Sequence, residues 1–170
     1  GRAARYRVQL APGASKFTLH YRGPINFGFE TPAQEYARGF NETAGIIDND
    51  GVYLAGSTLW YPYLGDTLFT FELTARSPAG WQLISPGNGS ARDAEGITHW
   101  HSDAPLDELH IVGGPLTRYA RAAGAVTAEV YLRKADDALA AKYLEATARI
   151  LEMYRGLIGT YPYEKFALVE

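Results

Sequence analysis

The stretch of sequence that decides the fold is residues 125–170, which read AVTAEVYLRKADDALAAKYLEATARILEMYRGLIGTYPYEKFALVE. Its first eight residues are typical of a strand, and the pattern changes after Lys134. Apolar residues then recur every three or four positions, which is the spacing of one helix face. They are Leu139, Tyr143, Ala146, Ile150, Met153 and Leu157, with Leu144, Leu151, Tyr154 and Ile158 beside them. The pattern predicts one long helix over about residues 136–158.

Both ends of this helix carry local signals. Asp136 or Asp137 can accept a hydrogen bond from the first free backbone N–H groups. Gly159 is expected to end the helix, and Pro162 prevents it from resuming before a final strand begins at about Phe166. A helix of this length is about 35 Å long. Its broad apolar face must therefore pack against a sizeable surface.

Upstream of this helix the apolar residues mostly alternate, which is typical of half-buried strands. The first alternating residues are Tyr6, Val8 and Leu10, followed by Phe17, Leu19 and Tyr21. Further strands are predicted over Leu68–Ala75, Gly80–Ile84, Ile97–His101, Glu108–Val112 and Ala125–Leu132. Turns are predicted at Ser77-Pro78, at residues 85–90 and at Gly113-Gly114-Pro115. Asp50-Gly51 predicts a tight reversal in which Gly51 supplies a positive φ.

These patterns predict a mainly β protein. An antiparallel β domain, saddle-shaped or sandwich-like, covers residues 1–133 and is followed by one long α-helix and a short strand. We interpret residues 134–170 as the first helix and strand of a second domain that is truncated here. The chain begins without an initiator Met or an apolar signal region, and it stops in an apolar strand. We therefore expect it to be a piece of a longer protein.

The composition excludes several functional classes. The 170 residues are 46% hydrophobic and 21% charged, as in a folded domain. Sixteen Lys and Arg against nineteen Asp and Glu give a net charge of −3, and no basic run offers a nucleic-acid surface. No stretch approaches the roughly 20 apolar residues of a transmembrane segment. The absence of cysteine excludes disulfides and thiolate zinc sites, but it leaves the compartment open.

The sequence His99-Trp100-His101 is the strongest local metal motif. Two imidazoles two residues apart on a strand point to the same face and could share a metal ion. The alternative is that both face solvent, and a third ligand would have to come from His20 or His110. Neither a G-x-S-x-G elbow nor an H-E-x-x-H motif occurs. We therefore assign the chain no catalytic residue, and His99 with His101 is kept as the weaker, metal-binding alternative.

The run Trp60-Tyr61-Pro62-Tyr63 permits two interpretations. Exposed aromatic rings could form a platform on which a sugar ring stacks. An aromatic run after a strand is more often the rim of a hydrophobic core. Exposure of the rings distinguishes the two interpretations, because a binding platform needs them at the surface.

Several segments occur in an order that resembles a known family. They are Gly51-Val52-Tyr53-Leu54, Gly56-Ser57-x-x-Trp60-Tyr61-Pro62, Thr70-Phe71-Glu72-Leu73 with Pro78-Ala79-Gly80-Trp81, Ile111-Val112-Gly113-Gly114-Pro115, and Gly159-x-Tyr161-Pro162-Tyr163-x-Lys165-Phe166-x-Leu168-Val169-Glu170. In this order they resemble the N-terminal part of the aminopeptidase N (alanyl aminopeptidase) family of gluzincin zinc metallopeptidases. The resemblance is particularly close to a divergent bacterial branch, and its last segment is the most specific.

The resemblance implies a saddle-shaped β domain that precedes and partly roofs a thermolysin-like catalytic domain. The family's zinc ligands and its general base would lie beyond Glu170. No cofactor is then expected in this chain, and zinc is expected in the missing catalytic domain. The chain would be a non-catalytic scaffold and a wall of the cleft in which the parent protein hydrolyses peptide bonds with a zinc-activated water. Its partners would be its own C-terminal catalytic domain and the peptide substrate.

The resemblance also points to candidate cleft residues. The family's β domain often contributes an acidic or amide side chain that binds the substrate's α-amine. The corresponding residues here are Gly56-Ser57-Thr58, which include no Glu or Gln. The candidates are therefore Ser57, Trp60 and Tyr61, and the hydroxyl of Ser57 would replace a stronger charge-assisted contact. This departure implies an atypical or inactive peptidase. The alternative is an autonomous β-sandwich module that binds carbohydrate or protein without enzymatic activity.

Overall fold

A computed structural model describes residues 5–29, 43–63, 65 and 67–170. The strands in these residues are β1 (Gly45–Ile47), β2 (Val52–Leu54), β3 (Phe69–Arg76), β4 (Gln82–Ile84), β5 (Asn88–Gly89), β6 (Ile97–Leu106), β7 (Ile111–Gly114), β8 (Thr117–Ala123), β9 (Val126–Leu132) and β10 (Lys165–Val169). A short 3-10 helix spans Gly56–Thr58, and the α-helix α1 spans Asp137–Leu157. This confirms the predicted class of a mainly β protein with one long helix and a terminal strand.

The described strands form three sheets. Their strand orders are β1-β2-β7-β4, β10-β9-β8 and β3-β6-β5. β10 pairs parallel with β9, whereas the other pairings between these strands are antiparallel. α1 supplies the long crossover that a parallel pairing requires. The predicted boundary at residues 133 and 134 therefore falls between two strands of one sheet. That boundary and the saddle or sandwich packing stay predictions.

β9 is covered on both faces, as a central strand is in a layered protein. One face packs against α1, and the cluster there comprises Ala128, Val130, Leu132, Ala140 and Leu144. On the opposite face Tyr131 packs with Ile84 and Leu116. This double burial explains why the sequence of β9 is apolar at consecutive positions.

The ends of α1 agree with the prediction. The Asp136 side chain caps the helix, because its Oδ1 accepts a hydrogen bond from the backbone N–H of Leu139 at 2.9 Å. After the helix, the N–H of Gly159 donates to the carbonyl of Tyr154 at 3.3 Å, and Gly159 has a φ of +114°. No helix in the part of the chain that the structure describes has the length and apolar character to cross a membrane.

The buried face of α1 overlaps the predicted apolar face only at its edge, at Leu144 and Leu151. The residues that face the sheet are Ala140, Leu144, Thr147 and Leu151. The more continuous apolar stripe of Leu139, Tyr143, Ile150, Met153 and Leu157 is exposed. Of these residues, Ala140 and Leu144 belong to the cluster packed against β9. The bulky stripe lies on the adjacent face of the helix, where its residues are 38–71% exposed.

The prediction of strands at the start of the chain was wrong. Residues 5–29 are irregular, with a turn at Pro12-Gly13 and one isolated bridge, between Asn26 and Ile46. Their alternating apolar side chains are exposed, and that of Tyr6 is 83% exposed. Alternation gives a strand its two faces, but a sheet also needs a partner strand, and no described strand pairs with residues 6–21.

The reversal at Asp50-Gly51 is confirmed, but its cause is not the one predicted. Gly51 does not have a positive φ. The turn is held by Asp48, whose Oδ1 accepts hydrogen bonds from the N–H groups of Asp50 and Gly51 at 2.9 and 3.1 Å. A Cβ at Gly51 would lie 2.7 Å from the carbonyl oxygen of Gly113. Glycine is needed because two backbones approach each other closely.

Two further predictions of turns were wrong in part. Gly113 and Gly114 belong to β7, and the chain reverses just after them, where the N–H of Leu116 donates to the carbonyl of Gly114 at 2.8 Å. The predicted turn over residues 85–90 contains the short strand β5. β8 was not predicted at all, because its sequence TRYARAA has few large apolar residues.

Candidate functional site

The loop between β2 and β3 carries the candidate residues Ser57, Trp60 and Tyr61. The neighbouring residue Thr58 fixes this loop from the inside. Its Oγ1 accepts a hydrogen bond from the N–H of Ala55 at 3.0 Å and donates to the carbonyl of Ala44. Because Thr58 is buried and Ser57 is exposed, the 3-10 helix presents the hydroxyl-bearing residue Ser57 at the surface.

Residues from the β6–β7 connection hold the same loop from the outside. The carboxylate Oε1 of Glu108 accepts a hydrogen bond from the N–H of Gly56 at 2.6 Å. The hydroxyl of Tyr61 accepts one from the N–H of Leu109 at 3.1 Å. The sequence predicts Glu108 at the start of a strand, whereas it lies in the connection before β7 and holds this loop. The contact joins residues 52 positions apart, and no local pattern signals it.

The aromatic rings of this loop pack on each other. The rings of Trp60 and Tyr61 meet edge to face at a centroid distance of 5.1 Å, and the ring of Tyr61 lies 6.0 Å from that of Phe69. Both Trp60 and Tyr61 are half-buried. The hydroxyl of Tyr21 donates to the carbonyl of Trp60 at 2.6 Å. This packing is that of a core rim, whereas the ring of Tyr63 is 63% exposed.

The histidine pair lies on the outer face of β6. His99 and His101 are both exposed, as expected for residues two apart on a strand. His99 Nδ1 lies 2.8 Å from Thr74 Oγ1 of β3, and His101 faces Glu72 across the same pair of strands. In the described part of the chain no three His, Asp or Glu side chains lie close enough to hold a metal ion.

A second polar cluster lies on β8, β9 and β10, and sequence reasoning missed it. Arg118 donates to Glu129 Oε1 at 2.6 Å, and the hydroxyl of Tyr131 donates to Glu129 Oε2 at 2.7 Å. Glu129 is only 8% exposed. Burial and the hydrogen bond to Glu129 raise the pKa of Tyr131. The signal in the sequence was a single acidic residue inside the apolar run of β9.

Lys165 completes this cluster from β10. Its Nζ donates to the carbonyl oxygens of Ser85 and Gly87 at 2.5 and 2.6 Å. Burial lowers the pKa of Lys165 to about 8, although the charge of Glu129 acts in the opposite direction. In the sequence Lys165 belongs to the terminal motif, and nothing near it indicates these contacts.

Comparison with known proteins gives a structural match. No protein-family model matches the sequence, and no curated protein sequence matches it. The chain is similar to the aminopeptidase N family protein from Idiomarina loihiensis, with a TM-score of 0.54 and 17% identity over 74% of this chain and 22% of that chain. It is also similar to the M1 zinc metallopeptidase from Deinococcus radiodurans, with a TM-score of 0.47 and 20% identity over 61% of this chain and 26% of that chain.

The match to the Idiomarina protein shows a shared fold. It confirms, at the level of the fold, the resemblance to the aminopeptidase N family that the sequence segments indicated. This chain corresponds to about a quarter of the length of the two solved chains.

Proposed function

We propose that this chain is the non-catalytic N-terminal β domain of a bacterial zinc metallopeptidase related to the aminopeptidase N family, together with the first helix and strand of the catalytic domain. The observation that carries this proposal is the fold match that covers 74% of this chain but 22% of the Idiomarina protein. The order of the sequence segments, from Gly51-Val52-Tyr53-Leu54 to the terminal strand, supports the same assignment.

In this proposal the chain acts as scaffold and as a wall of the substrate cleft. The loop with Ser57 suits such a role, because Thr58 and Glu108 hold its backbone while Ser57 stays exposed. A bound zinc ion would supply a polarised water with a pKa near ~7 for attack on the peptide carbonyl. The described residues offer no donor set for that metal. The chemistry is therefore assigned to the remainder of the parent protein.

Metal content and activity test this assignment directly. Purified as the 170-residue chain, the protein should contain no stoichiometric zinc by elemental mass spectrometry and should not cleave alanine p-nitroanilide. The full-length protein should contain zinc and should cleave this substrate. The proposal would be contradicted if the short chain contained stoichiometric zinc and the double substitution His99→Ala and His101→Ala removed it. That result would favour a small metalloenzyme built on the β6 histidines.

A substitution at Ser57 tests the cleft-wall role. In the full-length protein Ser57→Ala should raise KM for peptide substrates about 2- to 10-fold, which corresponds to the loss of one neutral hydrogen bond of about 0.5–1.5 kcal/mol. Ser15→Ala removes a hydroxyl from an exposed residue of the N-terminal segment and serves as the matched control. Equal KM values for both variants would remove Ser57 from the cleft.

One observation favours the alternative of an autonomous binding module. The ring of Tyr63 is 63% exposed, whereas Trp60 and Tyr61 are half-buried. If the isolated chain binds an oligosaccharide and Tyr63→Ala abolishes that binding, the module has a ligand of its own. Unchanged binding by Tyr63→Ala would exclude a platform built on this ring.

A further inference from the structure

A cavity of about 290 Å³ lies between the sheet β10-β9-β8 and the strands β4 to β6. One side is lined by Arg118, Glu129, Tyr131 and Lys165. The opposite side is lined by residues that include Gln82, Ile84, Arg92, Thr98 and Trp100. Thr98 and Trp100 are buried on the inner face of β6, opposite the exposed histidines. The cavity is therefore separate from the loop with Ser57 and from the histidine pair, and it contains the polar cluster of β8, β9 and β10.

The charges that line the cavity are unbalanced. Three cations, Arg92, Arg118 and Lys165, line it with one acid, Glu129. Arg118 and Glu129 form an ion pair at 2.6 Å and offset each other. Two positive charges remain without an acidic partner within ion-pair distance in the described part of the chain. An anion would balance them.

Lys165 is the cation best placed to meet such an anion. Two of its three N–H donors are used by the carbonyls of Ser85 and Gly87, and the described residues offer no partner for the third. Burying an ammonium group among neutral acceptors is costly unless an opposite charge is near. The lowered pKa of Lys165 reflects this cost. The buried hydroxyl of Ser85, beside the same carbonyl, also lacks a partner among the described residues.

The cavity is open to solvent, and part of its wall is apolar. The side chain of Arg118 is 43% exposed, and Ser90 and Ala91 at the opposite edge are exposed as well. The ring of Trp100 and the side chain of Ile84 provide apolar wall for the carbon skeleton of a ligand. Glu129 keeps lone pairs beyond its two hydrogen bonds, so it can also accept a donor from the ligand.

We propose that this cavity binds a small organic anion whose carboxylate or phosphate group pairs with the ammonium of Lys165. The chemistry is that of a charge-assisted hydrogen bond in a partly buried, positively charged site. The inference concerns a site within this chain and does not depend on the parent being a peptidase.

Calorimetric titration of the 170-residue chain at pH 7 and constant ionic strength tests the proposal. The probes are succinate, inorganic phosphate and, as the neutral analogue, succinamide. Binding of succinate alone identifies a carboxylate ligand, and binding of phosphate alone identifies a phosphate ligand. Binding of both supports a site for either oxyanion. Absence of binding by both anions, or equal binding of succinamide and succinate, overturns the proposal.

A pair of lysine variants locates the site. Lys165→Met should weaken anion binding at least about tenfold, since it removes a charge-assisted contact. Lys142→Met removes an exposed lysine of α1 and should leave binding unchanged. Equal loss in both variants would show that only the net charge of the chain matters and would overturn the proposal.

The pH dependence of binding provides a readout that needs no variant. The groups that face Lys165 are Glu129 and Tyr131 of β9, Arg118 of β8, Arg92, and His110 before β7. Burial raises the pKa of Tyr131 and lowers that of His110, so both stay neutral between pH 7 and 9.5. Arginine and carboxylate side chains keep their charges over this range. With a Lys165 pKa of about 8, the affinity for succinate should fall about 30-fold from pH 7 to 9.5. A constant affinity would show that the Lys165 ammonium is not the anion partner.

Discussion

Gly113 of β7 lies where the neighbouring strand β4 leaves no room for a side chain. A Cβ at this position would lie 2.2 Å from the carbonyl oxygen of Gln82 and 2.8 Å from Leu83 Cδ2. Gly156 of α1 is its opposite, because apart from its chain neighbours and the nearby helix backbone no described atom lies within 4 Å of the position of an added Cβ. The same residue type therefore serves a steric need in one place and only weakens a helix in the other.

Alanine substitutions at these two glycines should have opposite effects on stability. Gly113→Ala should lower the free energy of unfolding by about 2–3 kcal/mol, because β4 or β7 must shift to make room. Gly156→Ala should raise it by about 0.5–1 kcal/mol, because alanine is the better helix former. Urea denaturation measures both values. Similar values for the two variants would show that the strands β4 and β7 do not approach each other this closely.

Glu129, the acid in the middle of β9, accepts hydrogen bonds from Arg118 and Tyr131. Glu129→Ala leaves Arg118 without its ion-pair partner and the buried hydroxyl of Tyr131 without an acceptor. We expect a loss of about 2–3 kcal/mol in the free energy of unfolding. Tyr131→Phe removes only one hydrogen bond and should cost about 1 kcal/mol. A smaller loss for Glu129→Ala than for Tyr131→Phe would contradict the network.

At the scale of the element, α1 has two apolar faces, and only one of them packs against the sheet. Leu144 is 7% exposed and Ile150 is 47% exposed. Leu144→Ala should therefore cost about 2–5 kcal/mol in the free energy of unfolding. Ile150→Ala should change it by less than about 0.5 kcal/mol. The reverse order, measured by the same denaturation experiment, would mean that the bulky stripe is the face that packs.

At this scale, the features that could be predicted from the sequence are those set by neighbouring residues in the chain. The ends of α1 agree with the sequence to within one or two residues, since Asp136 and Gly159 act on their immediate neighbours. The buried face of α1 depends on the shape of β9, which no helix pattern contains. Strands 6–10 and 17–21 were predicted from alternation alone and fail for lack of a partner strand.

The loop with Ser57 and the cavity with Lys165 also differ in how far apart in the sequence their contacting residues lie. The loop with Ser57 stays a prediction, and it could be made from the sequence because its motif is contiguous. The hydrogen bond of Glu108 to that loop spans 52 residues, and the contact between Lys165 and Ser85 spans 80. Such contacts depend on how the sheets are arranged, so the sequence shows the residues but not their proximity.

At the scale of the whole molecule, Lys165 makes stability depend on pH. Folding lowers the pKa of Lys165 from 10.5 to about 8, so between these values the unfolded chain binds more protons than the folded chain. The free energy of unfolding should therefore rise between pH 8 and 10, with a slope of at most about 1.4 kcal/mol per pH unit. Below pH 8 both states are protonated and the cost of burial is fully present. Above pH 10 the raised pKa of Tyr131 acts in the opposite direction, because unfolding then releases a proton.

Chemical denaturation at several pH values between 7.5 and 9.5 measures this slope. The variant Lys165→Met lacks the titrating group and should show a flatter profile over the same range. Parallel profiles for the two proteins would show that Lys165 is not buried as described.

The parallel pairing of β10 with β9 determines where a chimera could be made. In a fusion of this module to another enzyme, the end of β9 before α1 suggests a junction after residue 133. That cut would strip β9 of five paired residues along one edge and would leave unpaired backbone groups that invite aggregation. A graft that keeps the chain through Val169 carries its own last strand and leaves that edge of β9 closed.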